Sequence, residues 1–539
     1  MRKVQNERNL KSDMLQSLLR TIEAVNDFLN GVVWGWPVII LILGTGLLLS
    51  IRTGFLQVCR FGNSMNTTIV PVIRSLGKKS GASASGLKTV SQFEAFSTAI
   101  SGTVGTGNIV GVTAAILTGG PGAVLWMWIS AFFGMVTNYS ENVLGLFYRK
   151  KDEAGNLSGG AFYYIENGLK CKGFLGKLVK ILAYLAAVFC LFAAVGMSGV
   201  QTNKISGTLS NSLGTAFGVT PGSDAETLVK LLIGIIIAIL AAVIIIGGIK
   251  RIGKVAAKLV PVMSLLFIVL ALIVIFKNIA IVGSAFALIF KNAFGLKPAA
   301  GGILGYAFAS AIRKGLARGV FSNEAGLGSS VIAHSASETR EPVKQGLWGV
   351  FEVFFDTFII CTLTALMFIT TNYKMLLQVP IDQLSAMDDS AMALGMFFDN
   401  FGAFGTVAFS LILPLFAFTT IMAWSYYGEK ACEFCFKWVK REKTRKTCVL
   451  IFKLLYIAFI VATAVISGTL VWDLADTFNG LMAFPNLIAL VLLSGKVAQI
   501  TKNYYQRKKG AVVEPMLSAY PELNAEFKRD IETGGEEFQ

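Results

Sequence analysis

The residues best suited to bind a small ligand form the segment Ser101-Gly-Thr-Val-Gly-Thr-Gly-Asn108, which interrupts an apolar run at 93–117. Glycine weakens a helix, and backbone groups that lose their helical partners cannot stay unpaired in lipid. Irregular backbone is tolerated at that depth where it lines a cavity, and its free N–H and C=O groups can then hold an anion or a cation. The alternative, close helix packing through small residues, does not need the polar groups of Thr106 and Asn108. The pattern therefore favours a binding site of the transporter kind.

The elements that must position this segment are membrane helices. The 539 residues are 54% hydrophobic and only 15% charged, whereas soluble domains carry about 25% charged residues. A helix that crosses a bilayer needs about 20 apolar residues. Eleven runs fit such spans, at 34–52, 93–117, 123–147, 181–203, 228–248, 259–276, 302–323, 346–371, 401–427, 449–472 and 478–497. An all-α polytopic membrane protein is predicted.

The spans define one transmembrane domain at 34–497, preceded by an amphipathic segment at 1–33 and followed by a tail at 498–539. From Tyr505 onward the mixed charge of the tail predicts disorder. The net charge of +16 is concentrated in alternate loops, so it indicates membrane topology rather than nucleic-acid binding. The positive-inside rule predicts a cell-membrane protein with its N-terminus outside and its C-terminal tail in the cytoplasm.

Ten spans remain when the helix at 34–52 is set aside, and they divide into two groups of five at 93–276 and 302–497. Glycines interrupt the first span of each group, with Gly301, Gly302 and Gly305 in the second. Five spans per group is an odd number, so the groups have opposite orientations in the membrane. Paired broken helices at matching positions of inverted repeats indicate a transporter binding site.

Four segments resemble signature sequences of the alanine or glycine:cation symporter family: 101–111, 119–123 with Trp126 and Trp128, 317–328, and 419–429. The resemblance extends from about Trp34 to Lys496. It implies the leucine-transporter fold, in which one extra N-terminal helix here precedes two inverted five-helix repeats. It also implies symport of alanine or glycine with a cation, most simply Na⁺, and no other cofactor. Sodium versus proton coupling and the oligomeric state stay open.

A zwitterionic amino acid presents one carboxylate and one ammonium group. N–H groups at the start of the second half-helix suit the carboxylate, which assigns it to the backbone of Gly105, Thr106 and Gly107. The carbonyl of Thr103 is a candidate for the ammonium group or a cation. Further candidate substrate contacts are Asn108, Gln201, Ile303, Gly305, Phe308 and Trp424. For Phe308 and Trp424, simple packing between helices is an equal alternative.

The resemblance to leucine-transporter-fold proteins also implies a Na⁺ site. The carbonyls of Ser101 and Val104 would face the hydroxyls of Thr419 and Thr420, forming a cage of hard oxygen ligands suited to a monovalent cation. The alternative for both threonines is a hydrogen bond to a carbonyl of their own helix.

Charged side chains within the spans are costly in lipid and must face protein or water. Glu352 and Asp356 are four residues apart, and Arg313 or Arg318 could neutralise one of them. This group is a candidate gate or proton-coupling site, with a permanent buried ion pair as the alternative. A proton-coupled symporter or exchanger of the same fold therefore stays open.

Two other function classes have weaker support. Gly196-Met-Ser-Gly199 matches a short pattern of intramembrane serine proteases, but such a nucleophile needs a base, and His334, the only histidine, is expected at the surface on the other side of the membrane. A channel would repeat its filter over several subunits, whereas the polar break occurs once per repeat here. Cys432 and Cys435 lack two further zinc ligands and are predicted to be unpaired. No enzyme is expected.

Overall fold

The computed structural model describes residues 2–75, 89–151, 157–220, 222–294, 301–466 and 468–534. The described chain is almost entirely helical, which confirms the predicted all-α class. One antiparallel hairpin joins β1 (Lys150–Lys151) to β2 (Leu157–Ser158), with Lys150 opposite Ser158.

The N-terminal part consists of helices that precede the first repeat: α1 (Arg2–Val33), α2 (Trp36–Thr53), α3 (Leu56–Cys59), α4 (Phe61–Thr67) and α5 (Ile69–Ser75). Pro37 occupies the first turn of α2, where its missing N–H costs no helical hydrogen bond. Gly54 ends α2 in the left-handed conformation, with φ of 69°, which glycine adopts without steric penalty.

The first repeat region contains a broken helix followed by long membrane helices: α6 (Gln92–Thr103), a 3₁₀ turn (Thr106–Asn108), α7 (Val110–Gly119), α8 (Ala123–Phe147), α9 (Ala161–Gly168), α10 (Gly173–Phe217), α11 (Asp224–Ile245), α12 (Gly248–Lys277) and α13 (Ile279–Ala293). Ser91 and Glu94 form a capping box that fixes the start of α6.

The second repeat region begins with α14 (Gly301–Asn323) and the short α15 (Val331–His334). Its remaining elements are α16 (Pro342–Val353), a π-helical segment (Phe354–Cys361), α17 (Thr362–Thr371), α18 (Tyr373–Gln378), α19 (Ile381–Ser385), α20 (Asp389–Phe401), α21 (Ala403–Cys435), α22 (Glu442–Thr463) and α23 (Gly468–Lys508), and the tail then forms α24 (Pro521–Gly534). Helix α8 packs against α14 and α16, while α10 packs against α21 and α23. The two repeats thus interlock rather than lie side by side.

Eight stretches of the described residues are long and apolar enough to cross a membrane: Arg20–Thr53, Gly173–Gly214, Asp224–Ile245, Gly248–Lys277, Pro342–Thr371, Ala403–Cys435, Glu442–Thr463 and Val471–Lys508. Shorter apolar helices occur at Val110–Gly119 and Ile279–Ala293. The count of eleven spans, the domain limits and the orientation of the termini stay predictions.

The predicted boundary between the last two spans, at 472–478, is wrong. Helix α22 ends at Thr463 and α23 already begins at Gly468, so the polar residues at 473–477 lie within a helix. Asp476 is accommodated there because Asn30 Nδ2 donates a 3.0 Å hydrogen bond to its carboxylate. Trp34 Nε1 donates to its carbonyl at 3.3 Å. Asn30 and Trp34 thus supply the hydrogen bonds that water would otherwise make to Asp476.

The predicted disorder of the tail from Tyr505 is also wrong over the part that the structure describes. Helix α23 continues to Lys508, and α24 packs onto the β-hairpin. The buried cluster that holds α24 consists of Leu157, Leu517, Leu523 and Phe527. These four apolar side chains offset the entropy of ordering a segment that its composition alone would leave unfolded.

Candidate functional site

The break in the first membrane helix of repeat one lies where the glycines predict it. Helix α6 ends at Thr103, and both Val104 and Gly105 have extended backbone conformations. The 3₁₀ turn at 106–108 then leads into α7. All residues of 101–108 are buried, so the unpaired backbone groups of this turn face the protein interior.

Two of the three N–H groups assigned to a carboxylate already have protein acceptors. The Gly105 N–H donates to Asn108 Oδ1 at 2.9 Å, and the Thr106 N–H donates to Gln201 Oε1 at 3.3 Å. Within the described chain no acceptor is assigned to the N–H of Gly107. The structure therefore brings Gln201 and Asn108 to the break, as predicted, but as caps of its backbone.

The carbonyls before the break are correspondingly free. In a continuous helix the N–H groups of Gly105 and Thr106 would donate to the carbonyls of Ser101 and Gly102. Because both N–H groups turn to side chains, the carbonyls at 101–104 receive no backbone hydrogen bond from the described residues. Such carbonyls carry the partial negative charge of a helix C-terminus and can coordinate a cation.

Helix α21 carries two buried hydroxyls, of which Thr420 adjoins the break and Thr419 contacts Met263 Sδ of α12 at 3.6 Å. Thr419 and Thr420 donate to the carbonyl of Phe416 at 2.9 and 3.1 Å, the bonding within the helix that was the alternative to a cation site. A hydroxyl that donates one hydrogen bond keeps two acceptor lone pairs. A Cβ atom on Gly105 would lie only 2.5 Å from Thr420 Oγ1. The Thr420 oxygen therefore lies directly against the break.

Asp356 links the break to the second repeat. Its carboxylate accepts hydrogen bonds from Asn108 Nδ2 at 2.5 Å and from Ser322 Oγ, at the end of α14, at 2.9 Å. Thr357 Oγ1 donates at 2.8 Å. Asp356 lies in the π-helical segment, whose extra residue per turn changes the direction in which its side chains point. One buried carboxylate thus connects both broken helices.

The break in repeat two is not where the glycines predict it. Helix α14 is continuous from Gly301 to Asn323, so the expected unwinding around Gly305 is wrong. The interruption lies at 324–330, where Glu324 has φ of 54°. The side chains at 301–308 lie outside the described residues, so substrate contacts by Ile303, Gly305 and Phe308 stay predictions.

Glu141 on α8 anchors this second break. Its Oε1 accepts from the N–H groups of Gly326 at 3.1 Å and Gly328 at 3.0 Å, and Asn486 Nδ2 donates to the same oxygen. Gly326 and Gly328 have φ of 92° and 75°, which a residue with a Cβ adopts only with strain. The interruption therefore depends on hydrogen-bond partners from distant helices, with Glu141 as the acceptor and Asn486 as a donor.

The other predicted gate residues have unexpected partners. Glu352 Oε2 lies 2.7 Å from His334 Nε2, and Gln345 Nε2 lies 2.7 Å from the other ring nitrogen. His334 is fully buried, so its predicted surface location is wrong. Arg313 is exposed, whereas Glu352 is buried. Glu352 and Asp356 thus have partners other than the predicted arginines.

These contacts also argue against a serine protease. Ser198 Oγ donates to the carbonyl of Val195 at 2.8 Å, and both ring nitrogens of His334 are engaged by other side chains. The required nucleophile–base contact is therefore missing. The seven cysteines, including Cys432 and Cys435, are free thiols.

Phe321 is a site residue that the sequence reasoning missed. Its ring lies 3.8 Å from the position of a Cβ on Gly107 and stacks on Trp472 with centroids 5.8 Å apart. The Arg318 guanidinium lies 5.1 Å over the same ring. Trp424 is fully buried and packs on Tyr427. The available signal was the position of Phe321 within the signature segment 317–328.

A cavity of about 320 Å³ lies on the side of Phe321 that faces α1. Its lining includes Asp27, Asn30, Arg318, Phe321 and Asp476. Ala114, Ala115 and Thr118 of α7 also line the cavity, so it runs along the second half of the broken helix. Phe321 contacts both this cavity and the neighbourhood of Gly107. That arrangement suits a route from one membrane face to an occluded site.

The comparisons with known proteins agree with this architecture. The profile of the Sodium:alanine symporter family matches residues 19–518. The chain is 38% identical over 481 residues to the sodium/alanine symporter AgcS of Methanococcus maripaludis, covering 89% of this chain and 96% of that protein. It is 36% identical over 488 residues to GlnT of Bacillus subtilis, described as a probable sodium/glutamine symporter, covering 90% and 92%.

Among solved structures, MhsT in complex with L-phenylalanine matches with a TM-score of 0.51 at 16% identity, covering 77% of this chain and 99% of that one. This likeness supports the predicted leucine-transporter fold. The family match over most of the chain confirms the resemblance of the signature segments and excludes an enzyme. The chain belongs to the Sodium:alanine symporter family, whose members are cation-coupled amino-acid transporters of the membrane.

Proposed function

We propose that this chain imports alanine or glycine across the cell membrane by symport with Na⁺. The observation that carries the proposal is the polarity of the break at 101–108. Carbonyls without backbone partners lie on one side of it, and the N–H of Gly107 lies on the other. A broken helix with this polarity suits a cation next to an amino-acid carboxylate.

The proposed cation ligands are the carbonyls of Ser101 and Val104 and the hydroxyls of Thr419 and Thr420. Four neutral oxygens suit a hard monovalent cation, because a set without a carboxylate does not provide the charge that divalent ions favour. The contact of Thr420 with Gly105 supports this assignment. Na⁺ would then stabilise the same conformation of the break that the substrate requires, which is the basis of coupling.

The proposed substrate site uses the backbone at Thr103, Thr106 and Gly107 together with Gln201 and Asn108. The carboxylate would meet the N–H of Gly107 and replace Gln201 Oε1 at the Thr106 N–H. Phe321, Trp424 and the predicted contacts at 303–308 would enclose the side chain. Bulky walls exclude larger amino acids by steric clash, which favours alanine and glycine.

Proton coupling is the second candidate, and the buried pair of His334 and Glu352 favours it. Both side chains are fully buried and share a 2.7 Å contact. A histidine and a carboxylate at this distance can hold one proton between them, and opening of the surrounding helices would expose that proton to water.

Uptake of radiolabelled alanine into proteoliposomes tests the proposed function. We expect concentrative uptake with an inward Na⁺ gradient and none with an equal K⁺ gradient, because the proposal assigns coupling to Na⁺. Uptake driven by a proton gradient alone would favour the pair of His334 and Glu352 as the coupling site. Folded protein that transports neither alanine nor glycine under any gradient would contradict the proposal.

Thr420→Ala tests the cation site. Loss of one ligand oxygen, with a hydrogen bond or ion contact worth about 1.5–3 kcal/mol to a charged group, should raise the Na⁺ concentration for half-maximal uptake roughly tenfold. Thr364→Ala is the matched control, since Thr364 is also buried and donates to its own helix at Ile360. Unchanged Na⁺ dependence in the Thr420 variant would show that Thr420 is not a Na⁺ ligand.

A further inference from the structure

The segment that follows the second broken helix is held by one buried arginine. Arg149, two residues after the end of α8, donates to the carbonyls of Ser337 at 2.7 Å and Ser335 at 3.3 Å, and to that of Thr339 at 2.6 Å. Its side chain is fully buried. Burial lowers the pKa of Arg149 to about 9, and the nearby positive charge of Arg340 adds to the effect, so the guanidinium stays charged at neutral pH. Three charge-assisted hydrogen bonds thus fix 335–339 against the end of α8.

The same segment is joined to the chain that enters the first broken helix. The Glu338 N–H donates to the carbonyl of Val90 at 2.8 Å, and the Val90 N–H donates to the carbonyl of Ala336 at 3.2 Å. Val90 immediately precedes the cap of α6. This short parallel bridge therefore ties together the ends of both broken helices on the face that carries the basic loops, which is the predicted cytoplasmic face.

Helix α24 covers this junction. The ring of Phe527 lies 5.1 Å from the Arg149 guanidinium carbon and is fully buried. The backbone before α24 is fixed as well, because the Ala519 N–H donates to the carbonyl of Phe147 at 2.8 Å. The aromatic ring excludes water from the arginine, which strengthens its hydrogen bonds to 335–339.

Ion pairs add further links between the tail and the junction. Asp530 on α24 pairs with Arg340 at 3.0 Å, and Glu526 pairs with Lys151 of the β-hairpin at 2.5 Å. At the end of α23, Arg507 pairs with buried Glu341 at 2.6 Å. The tail thus contacts the loop between α15 and α16 from two sides.

Alternating access moves one repeat or bundle against the other around the site, so release to the cytoplasm requires the contacts that join the repeats on that side to open. In this structure those contacts include the bridge between Val90 and 336–338. The bridge lies on Arg149, and Arg149 lies beneath Phe527. Any movement of 335–339 away from α8 would strip the arginine of its acceptors while α24 keeps it buried, and an unpaired buried charge is strongly unfavourable.

We propose that helix α24 is a strap that holds the cytoplasmic side of the transporter closed, acting through Arg149 on the junction of the two broken helices. The tail thereby sets the balance between the state closed to the cytoplasm and the state open to it. This inference rests on the proposed transport function for its role in the cycle, but the strap itself is a property of the closed junction. Its release is then a step that precedes substrate exit.

Hydrogen exchange of the full-length protein, without substrate or ion gradients, tests the strap directly. The backbone amides of Val90 and Glu338 report the bridge, because both are hydrogen-bonded only while it is closed. In Phe527→Ala we expect these amides to exchange roughly tenfold faster, since removal of the ring shifts the population toward the open junction. Peptides from α11 and α22, which pack mainly on each other and on α10, should keep their exchange rates.

A matched control comes from the same tail. Lys528 pairs with Glu514 at 3.2 Å within the tail itself, so Lys528→Gln should leave the exchange of Val90 and Glu338 unchanged. Unchanged exchange in Phe527→Ala would overturn the proposal, as would an equal acceleration in the control.

Asp530→Asn tests the strap if the Phe527→Ala protein unfolds and its amides exchange rapidly throughout the chain. It removes the negative charge that pairs with Arg340, so it should accelerate the two amides about twofold to fivefold without global change. Unchanged exchange in this variant would then reject the strap. Because alanine uptake is measured separately, a protein that exchanges as expected but transports neither alanine nor glycine would contradict the proposed function and not the strap.

Discussion

Replacing Gly105 by alanine is expected to lower the initial rate of Na⁺-driven alanine uptake at least tenfold while the protein still inserts into the membrane. A Cβ at this position would lie 2.5 Å from Thr420 Oγ1 and 3.5 Å from both side-chain amide atoms of Gln201. The first distance is far below van der Waals contact. Relief would require the break to move away from α21, which costs about 1–3 kcal/mol of overpacking strain and displaces the proposed cation ligands.

Alanine substitutions at two other glycines provide comparisons for the Gly105 variant. Gly207→Ala is the matched control, since a Cβ there meets no atom within 4 Å and Gly207 lies in α10, the helix that carries Gln201. Gly107→Ala should lose less uptake than Gly105→Ala, because its Cβ would meet Phe321 at an ordinary 3.8 Å. Uptake by Gly105→Ala equal to that of Gly207→Ala would show that the break does not need this close approach to Thr420.

Asp356→Asn is expected to reduce uptake by roughly tenfold or more and to raise the Na⁺ concentration for half-maximal uptake. The carboxylate accepts from Asn108, Ser322 and Thr357, whereas an amide offers one accepting oxygen and two donor hydrogens. At least one of these donors then loses its partner, at a cost of about 1–3 kcal/mol.

The effect should reach the cation site through the backbone. Asn108 holds the Gly105 N–H at 2.9 Å, and that bond keeps the Ser101 carbonyl without its helical partner. A misplaced Asn108 would let the Gly105 N–H return to Ser101, which removes a proposed Na⁺ ligand. Asp399→Asn applies the same chemical change to an exposed carboxylate of α20 and should leave Na⁺ dependence unchanged. Normal Na⁺ dependence in the Asp356 variant would show that this carboxylate does not influence the proposed cation site.

Much of the architecture followed from local properties of the sequence. The low charge content and the apolar runs predicted a polytopic helical protein, because hydrophobic length alone decides whether a helix can cross a bilayer. The glycines and hydroxyls at 101–108 predicted the first break correctly, since both the weakness of the helix and the polar replacements for its hydrogen bonds lie within one short segment.

The second break shows where this reasoning failed. Gly301, Gly302 and Gly305 suggested unwinding, yet α14 is helical there. The actual interruption at 324–330 is stabilised by Glu141 and Asn486, from α8 and α23. A glycine permits a break, but hydrogen-bond partners from other helices decide where one forms.

The buried polar groups depended on tertiary structure for the same reason. His334 belonged to a short polar segment that is usually exposed, and only the contacts with Glu352 and Gln345 make its burial favourable. In the tail, Phe527 and its apolar neighbours order α24 by contacts with a distant hairpin. By itself the sequence determined the class of protein, its all-helical character and the first broken helix, because these depend on composition and local backbone chemistry. The partners of most buried polar groups at the two breaks were decided by the tertiary structure, because other helices supply them, as Asp356 does for Asn108, 248 positions away.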